Sequence, residues 1–214
     1  MNKTTFFCFK HKTVHIIFVL LKNYNQIQDF VFDHLKNNLA SDLTYHGLHH
    51  TQDVLRYAEE IAEAEKISSH DLFLLKVAVL CHDTGFTDVY RGHEALGCEF
   101  AETHLPQFGI NGADIDTILG MIRATIIPQQ PTNLLECIIA DADLLYLGTD
   151  RFEEIGETLF HEMKSYGNLK SRREWNEIQK QFLLKHHYHT AYCRTNYEKR
   201  KHENLKIVLR ELES

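Results

Sequence analysis

The residues D-L-F-L-L-K-V-A-V-L-C-H-D-T-G at positions 71–85 determine much of how this chain folds. Apolar residues occupy almost every face of a helix drawn through them, which predicts a central helix buried on all sides. Thr84 and Gly85 are expected to end that helix. His82 and Asp83 are then delivered to the edge of the core, where polar groups without partners are costly. They need partners, and a metal ion is one.

The sequence on either side also predicts helices. Apolar residues from Ile27 to Leu39 repeat at helical spacing, and Ser68 and Ser171 each begin a sequence typical of a helix N-terminal capping box. The predicted helices cover residues 26–40, 50–66, 68–83, 93–105, 112–126, 134–147, 150–164, 171–190 and 192–213.

Alternating apolar and polar residues do not continue long enough to predict a sheet. The expected fold class is therefore all-α, with a single compact multi-helix domain over residues 26–214. Residues 1–25 have no clear periodicity and are expected to be an N-terminal lead-in, whose order the sequence leaves open. The apolar run at 14–21 is far shorter than the ~20 residues of a membrane-spanning helix.

Composition excludes several classes of function. The 214 residues carry a net charge of −7, which argues against a surface that neutralises a nucleic-acid polymer. The five cysteines are odd in number and contain no C-x-x-C spacing, so neither a disulfide framework nor a zinc ribbon is indicated. We expect a cytoplasmic protein that does not bind membranes, and a homo-oligomer is left open.

The placement of histidines suggests a metal site. His46 and His50 are four residues apart, and His50 lies on the apolar stripe of the second predicted helix, facing inward. His82 and Asp83 end the buried helix. Imidazole and carboxylate ligands suit a divalent ion such as Mn²⁺, Fe²⁺, Co²⁺, Ni²⁺ or Mg²⁺.

Four segments together resemble one known family. In chain order they are Y-H-G-L-H-H-T-Q-D-V from residue 45, L-C-H-D-T-G-F, G-H-E-A-L-G and I-I-A-D-A-D-L-L-Y-L-G. This combination resembles the HD superfamily of metal-dependent phosphohydrolases, an all-helical fold, and the likeness runs from about residue 26 to the C-terminus.

The resemblance implies a set of metal ligands. In that family an H…HD…D set binds the metal, which corresponds here to His50, His82, Asp83 and either Asp141 or Asp143. The two aspartates lie about 200° apart on a helix, so both cannot easily face one ion. The family pattern A-D-x-L matches at Asp143, which is favoured, and Asp141 would then be a supporting or capping residue.

The resemblance also implies catalytic roles. The segment around His46 resembles that of cyclic-nucleotide phosphodiesterases, in which the earlier histidine protonates the leaving oxygen. Asp83 would both bind the metal and orient the attacking water. One metal ion is favoured, because the helix around residues 118–131 lacks the additional histidines of dinuclear relatives. Candidate substrate contacts are His93, Glu94, Arg123, Arg200 and Lys201.

The hypothesis is hydrolysis of a phosphate ester, a mono- or diester, of a nucleotide or related small phosphorylated compound. A non-catalytic HD domain that senses a nucleotide is one alternative, and a di-iron HD-type oxygenase is another. A purely structural protein would have to bury His50, His82 and Asp83 without a shared ion, which is hard to sustain.

Overall fold

The apolar segment of residues 71–85 lies at the centre of the computed structural model, which describes residues 23–213. It forms helix α3 (Ser69–Cys81), buried continuously from Val77 to Cys81. The other helices are α1 (23–38), α2 (Leu48–Glu65), α4 (His93–His104), α5 (Gly112–Ala124), α6 (Leu134–Asp143), α7 (Phe152–Ser165), α8 (Arg172–Lys185), α9 (Ala191–Asn196) and α10 (Glu198–Glu213). Short 3₁₀ helices occur at Thr84–Thr87, Leu105–Phe108 and Leu145–Gly148.

The core surrounds α3 on several sides. Helices α2, α4, α5 and α6 all pack against it. Ile27 of α1, Ile61 of α2 and Ile122 of α5 are completely buried in the same cluster. Full burial of such a side chain stabilises the fold by about 1.5–3 kcal/mol. No strand occurs within residues 23–213, so the prediction of an all-α fold is confirmed.

Two predicted helix starts have the expected caps. The side chain of Ser68 accepts a hydrogen bond from the backbone N–H of Asp71, and Ser171 accepts one from Glu174. Each cap accepts a hydrogen bond from a backbone N–H that the first helical turn leaves without a partner. Such a cap stabilises the protein by about 1 kcal/mol.

The predicted helix over 171–190 was too long. Helix α8 ends at Lys185, and the next residues leave the helix because a buried carboxylate holds them. Asp141 accepts hydrogen bonds from the backbone N–H groups of His189 and Thr190, both at 2.8 Å, and from the Thr190 hydroxyl at 2.7 Å.

Two other boundaries also differ from the prediction. The helix predicted over 134–147 ends at Asp143 and gives way to the 3₁₀ helix at 145–148. The helix predicted over 192–213 is two helices, because Thr190 caps α9 separately and Tyr197 ends it. The Tyr197 hydroxyl donates a hydrogen bond to Glu60 of α2, which anchors this corner to the core.

Two glycines bring α4 close to the end of α3. A β-carbon at Gly85 would lie 2.0 Å from the carbonyl oxygen of His93, and one at Gly97 would lie 2.9 Å from the carbonyl oxygen of His82. Side chains at these positions would push the helices apart. The glycines therefore let the start of α4 lie against His82 and Asp83.

The predicted lead-in at residues 1–25 falls almost entirely on residues 1–22, which lie outside the described part of the chain. Within residues 23–213, no helix has both the length and the apolar character needed to cross a membrane.

Candidate metal centre

Three predicted ligands converge at the end of α3. His50 comes from the first turn of α2, and His82 and Asp83 follow the last residue of α3; all three are buried. One ligand atom from each lies within 4.8 Å of the others. Oδ2 of Asp83 is 3.1 Å from Nε2 of His82 and 3.5 Å from Nε2 of His50.

Asp143, the predicted fourth ligand, approaches the same two histidines. It is the last residue of α6, and its Oδ1 lies 3.1 Å from Nε2 of His50 and 3.8 Å from Nε2 of His82. Each of the two imidazole nitrogens therefore has an oxygen of Asp83 and an oxygen of Asp143 within 3.8 Å. Imidazole and carboxylate donors together suit a divalent cation.

Asp141 faces the other way. Its two oxygens are taken up by the backbone and hydroxyl groups of residues 189 and 190, and the side chain is completely buried. This placement agrees with the angular separation of the two aspartates on a helix, and the geometry favours Asp143 as the fourth ligand.

The orientation of His82 suits a ligand. Its Nδ1–H donates a hydrogen bond to the carbonyl of Val79 at 2.7 Å, so Nε2 presents its lone pair to the cluster. Nε2 of His82 and Oδ2 of Asp83 are both buried without a hydrogen-bond partner, although they are close to one another. Buried polar atoms seldom stay unpaired, so both fit a common cation between them.

The charges of the cluster also favour a bound cation. Burial alone would lower the pKa of His82, but the neighbouring Asp83 carboxylate outweighs it and raises that pKa to about 9. The pKa of Asp83 lies well below its usual range, because His82 and other histidines counteract the effect of burial. The site attracts positive charge, which a proton or a metal ion can supply.

His46 lies beside the cluster and is paired with an acid that the sequence reasoning did not identify. Its Nδ1 hydrogen bonds with Oε1 of Glu162, while Oε2 of Glu162 accepts the backbone N–H groups of Tyr45 at 2.8 Å and His46 at 2.9 Å. Glu162 is completely buried. The one sequence signal was its register with Ile155 and Leu159 on the inner face of α7, where a carboxylate needs a partner.

The hydrogen bonds also explain the ionisation of Glu162. Burial would raise the pKa of this carboxyl, but its hydrogen bonds with the His46 side chain and with the backbone of residues 45 and 46 lower it below the ordinary value. Glu162 therefore stays charged and orients the His46 ring.

Phe86 lies between two histidines. Its ring stacks on His46 with centroids 4.0 Å apart and on His93 with centroids 3.7 Å apart. Nε2 of His93 lies 3.5 Å from Oδ1 of Asp83 and 3.6 Å from Oε1 of Glu94. The predicted substrate contacts His93 and Glu94 are thus at the edge of the cluster.

The predicted basic contacts lie elsewhere. Arg123 is exposed on α5, and Arg200 forms ion pairs with Asp150 at 2.9 Å and Glu203 at 3.2 Å. Lys201 is buried, and its Nζ donates to the carbonyl of His186 at 2.7 Å and pairs with Glu198 at 2.8 Å. The cavity beside the cluster is lined by none of Arg123, Arg200 and Lys201.

That cavity has a volume of ≈ 240 Å³ and begins at the predicted site residues. His46, Asp83, His93, Glu94 and Asp143 line one end, and side chains of α7, α8 and the 144–147 segment line the remainder. A ligand in this cavity can reach the cluster and His46 together.

Comparison with known proteins identifies a domain. A family profile described as HD domain matches residues 47–148. This range contains His50, His82, Asp83 and Asp143 and excludes Glu162. No curated protein matches the chain significantly.

Solved structures share the fold at low sequence identity. A predicted HD superfamily hydrolase from an uncultured Thermotogales bacterium is 24% identical, with 88% of this chain and 90% of that chain covered and a TM-score of 0.58. Bacillus subtilis YpgQ in complex with ADP is 21% identical, with 91% and 95% covered and a TM-score of 0.63. A Lactobacillus plantarum protein is 17% identical, with 88% and 94% covered and a TM-score of 0.66.

Proposed function

We propose that this chain, whose residues 47–148 match the HD domain profile, is a metal-dependent phosphohydrolase of the HD superfamily. The proposed substrate is a phosphate ester of a nucleotide or related small phosphorylated compound. The observation that carries the proposal is the convergence of His50, His82, Asp83 and Asp143 at one end of a cavity. Two fold neighbours support it by their descriptions, one as a predicted hydrolase and one as bound to ADP.

The four converging residues would hold one divalent metal ion. Such an ion would supply Lewis acidity, polarising a phosphoryl oxygen and lowering the pKa of a water. Asp83 has its second oxygen directed to His93, so this carboxylate can also orient the attacking water. His93 and Glu94 would contact the phosphoryl group or the water at the cavity edge.

His46 would supply the proton that the leaving oxygen needs. Its Nδ1 is hydrogen bonded to Glu162, so Nε2 is the ring nitrogen available to a ligand in the cavity. A proton held on Nε2 can pass to the alkoxide as the phosphorus–oxygen bond breaks. Glu162 acts through His46 and is therefore a positioning residue.

The functional unit extends beyond the matched profile. Glu162 of α7 and the cavity wall from α8 lie outside residues 47–148. We therefore propose that residues 26–214 form one HD-type phosphohydrolase domain.

The proposal is tested by a screen of nucleotides, cyclic nucleotides and phosphorylated metabolites with added Mn²⁺ or Co²⁺. We expect metal-stimulated release of phosphate or a nucleotide product, abolished in a His82→Ala/Asp83→Ala variant. His49→Ala is the matched control, because His49 is the exposed neighbour of His50 on α2. Activity that survives in the double variant would refute the assigned site. Metal and nucleotide binding without turnover of any compound would instead favour the sensing domain.

A further inference from the structure

The cavity beside the metal centre has two chemically different ends. The part away from the predicted ligands, here called the apolar chamber, is walled by Leu147, Phe152, Leu159, Met163, Trp175 and Phe182. Among the described residues 23–213, no lysine or arginine lines the cavity. Its charged side chains are all at the other end, at the metal centre.

The remaining polar groups of the wall are mostly occupied. The rings of Tyr45 and Tyr146 pack against one another with centroids 5.7 Å apart, and burial raises the pKa of both hydroxyls, which keeps them neutral. The Thr125 hydroxyl donates to the carbonyl of Ile122 at 2.8 Å. Gln179 is the remaining polar side chain of the chamber.

A charged group would be unstable in such a chamber. It would lose its hydration and would find no cation or array of donors to replace it. Binding sites for phosphate chains supply arginine, lysine or backbone N–H groups for that purpose. An apolar group instead gains from being transferred out of water.

We propose that the apolar chamber binds the organic group of a monophosphate ester and that this group is apolar or aromatic. The single phosphoryl group would then lie at the metal centre. This inference rests on the proposed phosphohydrolase function and names its substrate class. The whole cavity, with the end at the metal centre included, has a volume of ≈ 240 Å³, which accommodates about eight groups the size of a water molecule at about 30 Å³ each. A six-carbon chain or a single ring system fits this space.

A di- or triphosphate would have to be arranged differently. A second cavity of ≈ 710 Å³ shares Ile127, Leu144, Ile178 and Phe182 with the first and is lined by Lys185. A phosphate chain reaching that lysine would leave the apolar chamber unfilled. The two arrangements therefore predict opposite preferences for the organic part of the ligand.

Phosphonates test the inference without turnover. Affinities for methylphosphonate, hexylphosphonate and 6-phosphonohexanoate would be measured by calorimetry in the presence of Mn²⁺. Each methylene buried is worth about fourfold in affinity at most, so hexylphosphonate should bind at least tenfold more tightly than methylphosphonate. The terminal carboxylate of 6-phosphonohexanoate should cancel that gain.

Trp175 reports where the ligand binds. It is the single tryptophan of the sequence and lies in the chamber wall. Hexylphosphonate should change its fluorescence, whereas methylphosphonate should not. Equal affinities for the two phosphonates, or tighter binding of 6-phosphonohexanoate, would overturn the inference, as would hexylphosphonate binding that leaves Trp175 fluorescence unchanged.

A pair of variants locates the effect in the chamber. Leu159→Asn should weaken hexylphosphonate binding about tenfold and leave methylphosphonate binding unchanged. The control Leu184→Asn, at an exposed leucine of α8 that does not line the cavity, should leave both unchanged. Unaltered hexylphosphonate binding in Leu159→Asn would count against the chamber. If the proposed metal-dependent function is wrong, phosphonate binding should not depend on Mn²⁺ but should still depend on chain length. This outcome differs from failure of the chamber inference, in which the dependence on chain length is lost.

Discussion

Asp83 and Asp141 are two buried carboxylates with opposite surroundings. Asp141 accepts three hydrogen bonds from residues 189 and 190, whereas Oδ2 of Asp83 has no hydrogen-bond partner and faces the imidazoles of His50 and His82. Both side chains lie at the ends of helices that pack on the core. A buried carboxylate that accepts hydrogen bonds from N–H and O–H groups, such as Asp141, stabilises the fold. A buried carboxylate that faces imidazole nitrogens, such as Asp83, is arranged to bind a cation.

The largest difference between the two should be in metal affinity. Asp83→Asn removes a charged ligand, and we expect Mn²⁺ affinity to fall at least about 100-fold, since even the residues that support ligands contribute 10–100-fold. Isothermal calorimetry would measure it. A Mn²⁺ affinity within threefold of the parent would contradict the assignment.

Glu162→Gln should affect turnover without affecting the metal. The amide keeps the size of the side chain but no longer carries the charge paired with His46, so we expect kcat to fall about 100-fold, within the range of general acid catalysis. Metal affinity should stay within twofold. Glu153→Gln, an exposed position on the same helix, is the control. Equal loss of kcat in both variants would remove the positioning role from Glu162.

Asp141→Asn tests whether Asp141 stabilises the fold. Hydrogen bonds to a charged acceptor are worth about 1.5–3 kcal/mol, and we expect the free energy of unfolding to drop by about 2 kcal/mol. Urea denaturation would measure the change, and Mn²⁺ affinity should remain within twofold. An Asp141→Asn variant that is as stable as the parent but no longer binds Mn²⁺ would show that Asp141 is a metal ligand and would contradict its structural role.

The last prediction concerns the pH dependence of stability in the loop that Asp141 holds. Burial and the nearby Lys201 ammonium lower the pKa of His186 from 6.5 to about 3. The unfolded chain then binds a proton that the folded chain excludes, so stability is lost progressively as the pH falls from 6.5 towards 3. His186→Gln should show a weaker pH dependence of its urea midpoint in this range. Identical dependence in both proteins would exclude His186 as a cause.

Local patterns predicted the fold and much of the site's placement. The apolar run of α3 required a buried helix that ends at His82 and Asp83, and the inward face of α2 selected His50 over His49. The angle between residues 141 and 143 on a helix showed that only one of the two aspartates can face the ion, and the resemblance to the family favoured Asp143. The inferences from α3, from α2 and from this angle depend on periodicity within one helix, which sequence carries directly.

What the sequence did not reveal depends on how distant helices pack. Glu162 reaches His46 only because α7 lies beside the start of α2, and no spacing records that contact. The charges of Arg200 and Lys201 were visible, but the distant groups that hold them, Asp150 and the carbonyl of His186, were not. The sequence predicted a helix through residues 186–190, because the carboxylate of Asp141, which holds this segment outside the helix, is almost fifty residues earlier in the chain.

The central claim is that one divalent cation binds between His50, His82, Asp83 and Asp143. An anomalous difference map from a crystal soaked in Mn²⁺ tests it most directly. We predict one strong peak about 2.0–2.6 Å from Nε2 of both histidines and from both carboxylates. No peak at this position, or a peak bound by Asp141 instead of Asp143, would contradict the account.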